Sequence, residues 1–272
     1  ARAVGPWQFI KGTALKYGLK VNFWVDERRD PVKSTHAASR YLGELYERFE
    51  SWALAMAAYN AGEGKIERAL RKSKADDYWP LLRTRYLRSE TKNYVAKFIA
   101  ARQIASDPEG YGFSEIEYHS PFEFDEVEVP SPIDLEVVAT AAGTTYDVIK
   151  ELNPELRAWC TPLGASTYVV RIPKGTTETF LANLNAIPEE ERLTLKQYTV
   201  KRGDTLVKIA KAEGVPMEVL LAINGLKKSG PVSLGTVLYL PPKDKIKLCS
   251  DIVKSQKTYH KKKNKRSKKL VT

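Results

Sequence analysis

Leu135, Ala139, Gly143, Val148, Leu152 and Asn153 return 71 positions later as Leu206, Ala210, Gly214, Val219, Ile223 and Asn224. A register kept over that many positions, with helical spacing inside each set and a glycine at the same point, means one small unit built twice. Each set runs into a short β-like stretch closed by proline, Tyr168 to Pro173 and Val237 to Pro241. The second copy also opens on a leading strand, Tyr198, Thr199 and Val200. After it, Asp204 or Thr205 can cap a helix beginning at Leu206. The unit reads strand, helix, helix, strand. It is expected over residues 127–175 and again over 198–243, with 176–197 connecting the copies. The first copy runs three residues longer between its Asn and its closing Pro, and that insertion holds Trp159 and Cys160.

Upstream the period changes. Asp30 followed by Pro31 signals a helix start, and Tyr41, Leu42, Leu45, Tyr46 and Phe49 then recur at helical spacing. A second stripe runs through Trp52, Leu54, Ala55 and Ala58, and a third follows Ser89, where Tyr94, Val95, Phe98 and Ile99 share a face. Residues 1–112 therefore read as an all-α domain. Between Asp107 and Pro132 prolines and glycines mix with acidic residues, which is linker chemistry, and the linker is placed at 113–126. Charge divides the chain at similar points: +7 over 1–112, −9 over 113–197, +4 over 198–253 and +9 over 254–272. The stretch 244–272 is expected to be a disordered basic tail, too polar to fold. It could attract an acidic polymer or an anionic membrane surface; nucleic acid is not indicated, because no motif with interleaved aromatics accompanies it.

Residues 57–64, AAYNAGEG, lead from small residues into a Tyr-Asn pair and then two glycines. Small residues allow close approach of a backbone or a flat ligand, while the hydroxyl and amide supply donors and acceptors at one point. The order fits the wall of a polar cleft; it also fits a helix C-terminus with Asn60 and Gly62 as caps.

Three stretches then line up in order: GPWQF at 5–9, AAYNAGEG at 57–64 and ETKNYV at 90–95. Together they resemble the lysozyme-like lytic transglycosylases of the soluble-transglycosylase class. DERRDPVKSTHAASRYL at 26–42 fits the membrane-bound branch that carries LysM repeats, and YTVKRGDTL at 198–206 resembles the opening of a LysM module. The resemblance covers about residues 1–243. It implies a multidomain chain: an all-α lysozyme-like domain, two small α+β LysM domains, and the basic tail. It also implies a bacterial cell-envelope protein that binds peptidoglycan glycan strands and needs no cofactor or metal. The family cuts the β-1,4 bond between N-acetylmuramic acid and N-acetylglucosamine without water, leaving 1,6-anhydromuramic ends, with one glutamate as acid and then base. Such a group needs a raised pKa, which an apolar cleft provides. That glutamate belongs to a Glu-Ser motif expected upstream of Ala1, so the chain as given is expected to bind without cleaving. Glu63 and Glu90 fall in first turns of helices, where a carboxylate has an ordinary role, and Glu44 falls on a polar face. A noncatalytic cell-wall scaffold is the alternative from another class.

By resemblance, Gln8 matches a substrate-binding glutamine, Tyr59 and Asn60 the pair that contacts saccharide at the cut site, and Tyr94 a tyrosine near the catalytic carboxylate. Ile10 stands where the family often has methionine. In the second repeat Gly203, Asp204, Thr205, Leu206 and Asn224 mark the loops expected to read acetamido groups. The first repeat shows Ser131, Pro132, Ile133 and Asp134 in place of the Gly-Asp-Thr sequence, which puts its sugar affinity in doubt. Cys160 and Cys249 lack metal-ligand spacing; a disulfide and two separate thiols both fit.

Overall fold

The structure is a computed structural model describing residues 3–227 and 230–256. It forms two compact units, one drawing on the chain up to Ser34 and from Phe122 onward, the other spanning Thr35–Pro121.

The front of the chain folds into α1 (Lys11–Lys16), α2 (Pro31–Phe49), α3 (Trp52–Ala61), α4 (Glu63–Ser73), α5 (Tyr78–Leu82) and α6 (Ser89–Ser106). Asp30 starts α2: its Oδ1 accepts the Lys33 N–H at 2.9 Å, and Pro31, with no N–H to satisfy, takes the first helical position. Ser51 caps α3 by accepting the Leu54 N–H, and its hydroxyl donates to Asp77 Oδ1 at 2.9 Å. Gly62, at φ 94°, ends α3 and starts α4 in one residue, a corner that a side chain would strain. Ala55, Ala57 and Ala58 of α3 are fully buried, as are Ile66 of α4 and Val95 of α6. The small side of α3 thus lets it pack on both α4 and α6, and leaves Tyr59 and Asn60 half-buried at its C-terminal end. Phe98, on the same expected face as Val95, remains 47% exposed, so the first half of α6 supplies its anchor.

The rear gives the doubled unit: β1 (Phe124–Pro130), α7 (Leu135–Ala141), α8 (Tyr146–Leu152) and β2 (Thr167–Pro173), then α9 (Thr177–Ala186), then β3 (Lys196–Thr199), α10 (Leu206–Ala212), α11 (Met217–Ile223) and β4 (Val237–Leu240). β1 pairs antiparallel with β2, Val127 opposite Val170, and β3 pairs antiparallel with β4, Tyr198 opposite Leu238. The repeat offset holds in space. α7 and α10 begin and end 71 positions apart, as do α8 and α11, and Gly143 and Gly214 take matching φ of 65° and 67°.

The recurring asparagine has a physical cause. Asn153 donates to the Ile149 and Arg171 carbonyls, both at 2.8 Å, and accepts the Arg171 N–H at 2.8 Å. Asn224 does the same with Leu220 O, Tyr239 O and Tyr239 N–H, at 2.8, 2.9 and 2.7 Å. In each copy one amide fastens the end of the second helix to the last strand.

Two sequence expectations need correction. β1 starts at Phe124, inside the stretch read as linker through residue 126: Val127 and Val129 are buried while Glu126 and Glu128 alternate with them, a period-2 pattern that the flanking prolines obscured. Residues 246–256 form a helix, α12, inside the stretch read as tail, and bury Cys249, Ile252 and Val253 in the cluster that spans both repeats. Residues 257–272 of the expected tail lie outside the described residues. Cys160 and Cys249 are both free, fully buried thiols; burial pushes Cys249 up to about 12 and raises Cys160 as well. Among the described residues no helix is long and apolar enough to cross a membrane.

Candidate functional site

The Thr35–Pro121 unit brings Tyr59, Asn60 and Tyr94 together; Gln8 belongs to the other unit. Asn60, in the last turn of α3, accepts the Thr91 hydroxyl at 2.9 Å through Oδ1. Thr91 lies in the first turn of α6 and is buried, so the bond fixes the plane of the Asn60 amide, and its two Nδ2 hydrogens have no protein acceptor among the described residues. Tyr59 packs on Tyr41 with ring centroids 5.2 Å apart, and the Tyr41 hydroxyl donates to Glu63 at 3.1 Å. Burial holds the Tyr59 hydroxyl well above the ordinary phenol range, with nearby Tyr94 adding to the shift, and burial raises Tyr94 too. Both therefore stay protonated at neutral pH and can donate. The outcome is a fixed amide and two neutral phenols in one unit, suited to an uncharged polar ligand rather than to an ion.

Gln8 is presented by a tight turn. The Gln8 N–H and its side-chain Nε2 both donate to Gly5 O, at 3.1 and 2.7 Å, and Val4 bridges Phe9. Arg28 braces that turn from below: its guanidinium donates twice to Asp26 at 2.7 Å and once to Phe9 O at 3.1 Å. Gln8 itself is exposed.

In the second repeat Asp204 braces its own loop, accepting the Tyr198 hydroxyl at 2.9 Å and the Lys201 N–H at 2.8 Å. Thr205, not Asp204, caps α10, through the Lys208 N–H at 3.2 Å. Gly203 supplies φ 87° for the turn, and Leu206, only 3% exposed, anchors the loop in the core. The backbone bond from Lys201, then the Tyr198 hydroxyl, holds the Asp204 carboxyl below the usual carboxylate range. A depressed carboxylate contributes loop stability that is present above the unfolded pKa and lost as pH falls through the folded one. A carbon-detected NMR titration of Asp204 should accordingly give a midpoint below about 3.9; a midpoint at or above that value would mean the brace is absent.

Residues 1–82 match the Transglycosylase SLT domain, 123–189 the LysM-like domain of lytic transglycosylase MltD, and 198–241 the LysM domain. Over 245 residues the chain is 33% identical to Membrane-bound lytic murein transglycosylase D of Escherichia coli (strain K12), which covers 84% of this chain and 53% of that protein. The same protein from Escherichia coli O6:H1 (strain CFT073) gives the same identity and coverage. The chain resembles lytic murein transglycosylase D, with an SLT-domain match in front and two LysM-type matches behind it. It spans about half the length of the curated relatives it matches.

That kinship makes the contrast between the two repeats informative. In the first, the loop after the Asn is taken up by the chain's own N-terminal segment: Asp26 N–H donates to Glu155 O at 2.9 Å, Arg157 N–H to Trp24 O at 2.8 Å, and Val25 bridges Leu156. Lys150, half-buried beneath the loop, donates to the Leu156 and Ala158 carbonyls, and desolvation there pulls its pKa down to about 8. The other loop is closed as well, with Asp134 accepting the Thr194 N–H at 3.0 Å and Leu135 N–H donating to Trp159 O at 2.8 Å. Among the described residues, Gly203, Asp204 and Thr205 of the second repeat make only local bonds. Sequence reasoning missed Thr91 and Tyr41 as partners of the Tyr-Asn pair; Thr91 stands inside the ETKNYV stretch, one position from the more visible Glu90.

Proposed function

We propose that this chain is the glycan-holding part of a peptidoglycan lytic transglycosylase of the cell envelope. Asn60 hydrogen-bonds an acetamido or hydroxyl group of the sugar, with the Tyr59 and Tyr94 hydroxyls as further donors in the same unit, and Gln8 offers a separate glycan contact from its turn in the other unit. The observation that carries the reading is the Asn60 amide, fixed by Thr91 with its Nδ2 hydrogens left over. In the whole protein a glutamate outside these residues protonates the leaving oxygen of the β-1,4 bond and then takes the proton of the sugar 6-hydroxyl, giving a 1,6-anhydromuramic end. Neither Glu63, engaged by Tyr41, nor Glu90, exposed to solvent, occupies the apolar enclosure that such an acid needs. Module binding falls to the second repeat, through Gly203, Asp204 and Thr205, because the loops of the first are filled by the chain itself. Asn224 shapes that groove from behind through its three backbone bonds. A tethered module raises the local concentration of glycan at the Tyr-Asn site.

Purified sacculi decide it. This chain is expected to co-sediment with them and release nothing, whereas the full-length protein releases fragments whose muramic ends are anhydro by mass spectrometry. Reducing ends, or no products from the full-length protein, would sink the transglycosylase reading and leave a noncatalytic binder. Anhydro products from this chain would show that its own residues supply the acid.

A further inference from the structure

Beside Asn60 the Thr35–Pro121 unit opens a cleft of about 260 Å³ between α4 and the start of α6. Its floor is apolar, with Ile66, Ala69 and Leu87 buried, and its rim is cationic. Lys65, Arg68 and Lys72 follow at helical spacing along one face of α4, and Arg88 joins them from the residue before α6. Glu90 is the one carboxylate among the lining residues. None of these five side chains has an ion-pair partner among the described residues. Four cations around one opening repel each other, and Glu90 offsets only one of the four charges. Such a concentration of one sign in a concave site attracts an anion. The positive end of α6, an 18-residue helix whose N-cap Arg88 makes no side-chain cap bond, adds to the field at the same end.

Asn60 lines this cleft as well as the sugar site, so an anionic group carried by the sugar that Asn60 holds lies within reach of the cationic rim. The glycan backbone of peptidoglycan is uncharged at its acetamido sugars; its carboxylates sit on the peptide carried by each muramic acid. We propose that the α4–α6 cleft receives the carboxylates of that stem peptide. The inference rests on the peptidoglycan-binding reading above, and it deepens it: Asn60 reads the sugar while Lys65, Arg68, Lys72 and Arg88 read the peptide. Neutral glycans of the same linkage then lose the second half of the contact.

The test uses the chain with all its domains and fluorescently labelled soluble glycan strands, either bearing tetrapeptide stems or stripped of them by an amidase, which leaves one lactyl carboxylate on each muramic acid, with chitin oligosaccharides as the uncharged reference. At low salt the wild type should hold peptide-bearing strands roughly tenfold tighter than stripped ones, and the preference should shrink as salt screens it. Arg68→Glu combined with Lys72→Glu should abolish that preference while leaving stripped strands within about twofold of wild type. Both residues are exposed, so the variant is expected to keep its circular dichroism spectrum. A variant that weakens both kinds of strand equally, or neither, overturns the inference while the glycan reading stands. A wild type that binds neither strand overturns both. If the variant instead loses binding to phosphatidylglycerol vesicles and keeps its strand preference, the cleft serves lipid phosphate and the proposal is wrong.

Discussion

Arg171→Ala is expected to lower the stability of its unit by about 3–5 kcal/mol, the loss typical when one partner of a buried ion pair is removed. Arg171 is 5% exposed and Asp30 is 0% exposed, and their charged groups lie 3.0 Å apart. The same guanidinium reaches Glu126 at 3.2 Å and lies 4.5 Å from the centre of the Phe124 ring. Truncation would strand the Asp30 carboxylate in the interior with little beyond the Lys33 N–H to satisfy it. It would also remove a tie between the residue that starts α2 and the last strand of the first repeat. Hydrogen exchange of the β1–β2 amides, followed against urea, reads the effect in the right place. Arg171→Met with Asp30→Leu should cost much less than Arg171→Ala alone, because the pair is then removed without an orphaned charge. A loss under about 1 kcal/mol for Arg171→Ala would mean that water reaches the carboxylate and that the pair is not buried.

The sequence showed the doubled unit because repetition is local information: apolar spacing inside each copy set the helices, and the fixed offset set the copies. It showed the Tyr-Asn corner for the same reason, since α3, Gly62 and α4 are consecutive. What it hid depends on residues far apart in the chain. Nothing near Arg171 announces Asp30, and nothing near Glu155 announces Asp26, so the taking-up of the first repeat's loops was invisible. β1 was hidden by composition, its valines set among glutamates and prolines. α12 was hidden by the lysines that precede the basic run, although Cys249, Ile252 and Val253 hold a helical stripe. The cationic cleft was hidden in the same way, because Arg88, the residue before α6, joins Lys65, Arg68 and Lys72 of α4 only in the fold.

Gly5→Ala should undo the turn that presents Gln8. Gly5 has φ 79°, and a Cβ placed on it would lie 1.6 Å from the Arg28 carbonyl oxygen and 2.6 Å from its carbon. Both are backbone atoms, so no rotamer change relieves the overlap. Arg28 cannot easily retreat either, since its guanidinium is locked to Asp26 and to Phe9 O. Positive φ costs an alanine about 1 kcal/mol and overpacking about 1–3, so a loss on the order of 3 kcal/mol is expected locally. The cheaper escape is for the 4–9 turn to unwind and leave Arg28, which would break the Val4–Phe9 bridge, both bonds from Gln8 to Gly5 O and the Arg28 bond to Phe9 O. Gly43→Ala in α2 is the opposite case: no atom lies within 4 Å of the added Cβ, and a helix interior should gain about 0.5–1 kcal/mol. Hydrogen exchange at the Val4 and Gln8 amides, with sacculus co-sedimentation beside it, separates structure from function. Loss of protection together with a fall in glycan affinity matching that of Gln8→Ala makes the turn a positioning device for Gln8. If protection is lost while affinity holds, Gln8 is not part of the glycan contact, and the sugar is held by Tyr59, Asn60 and Tyr94 alone.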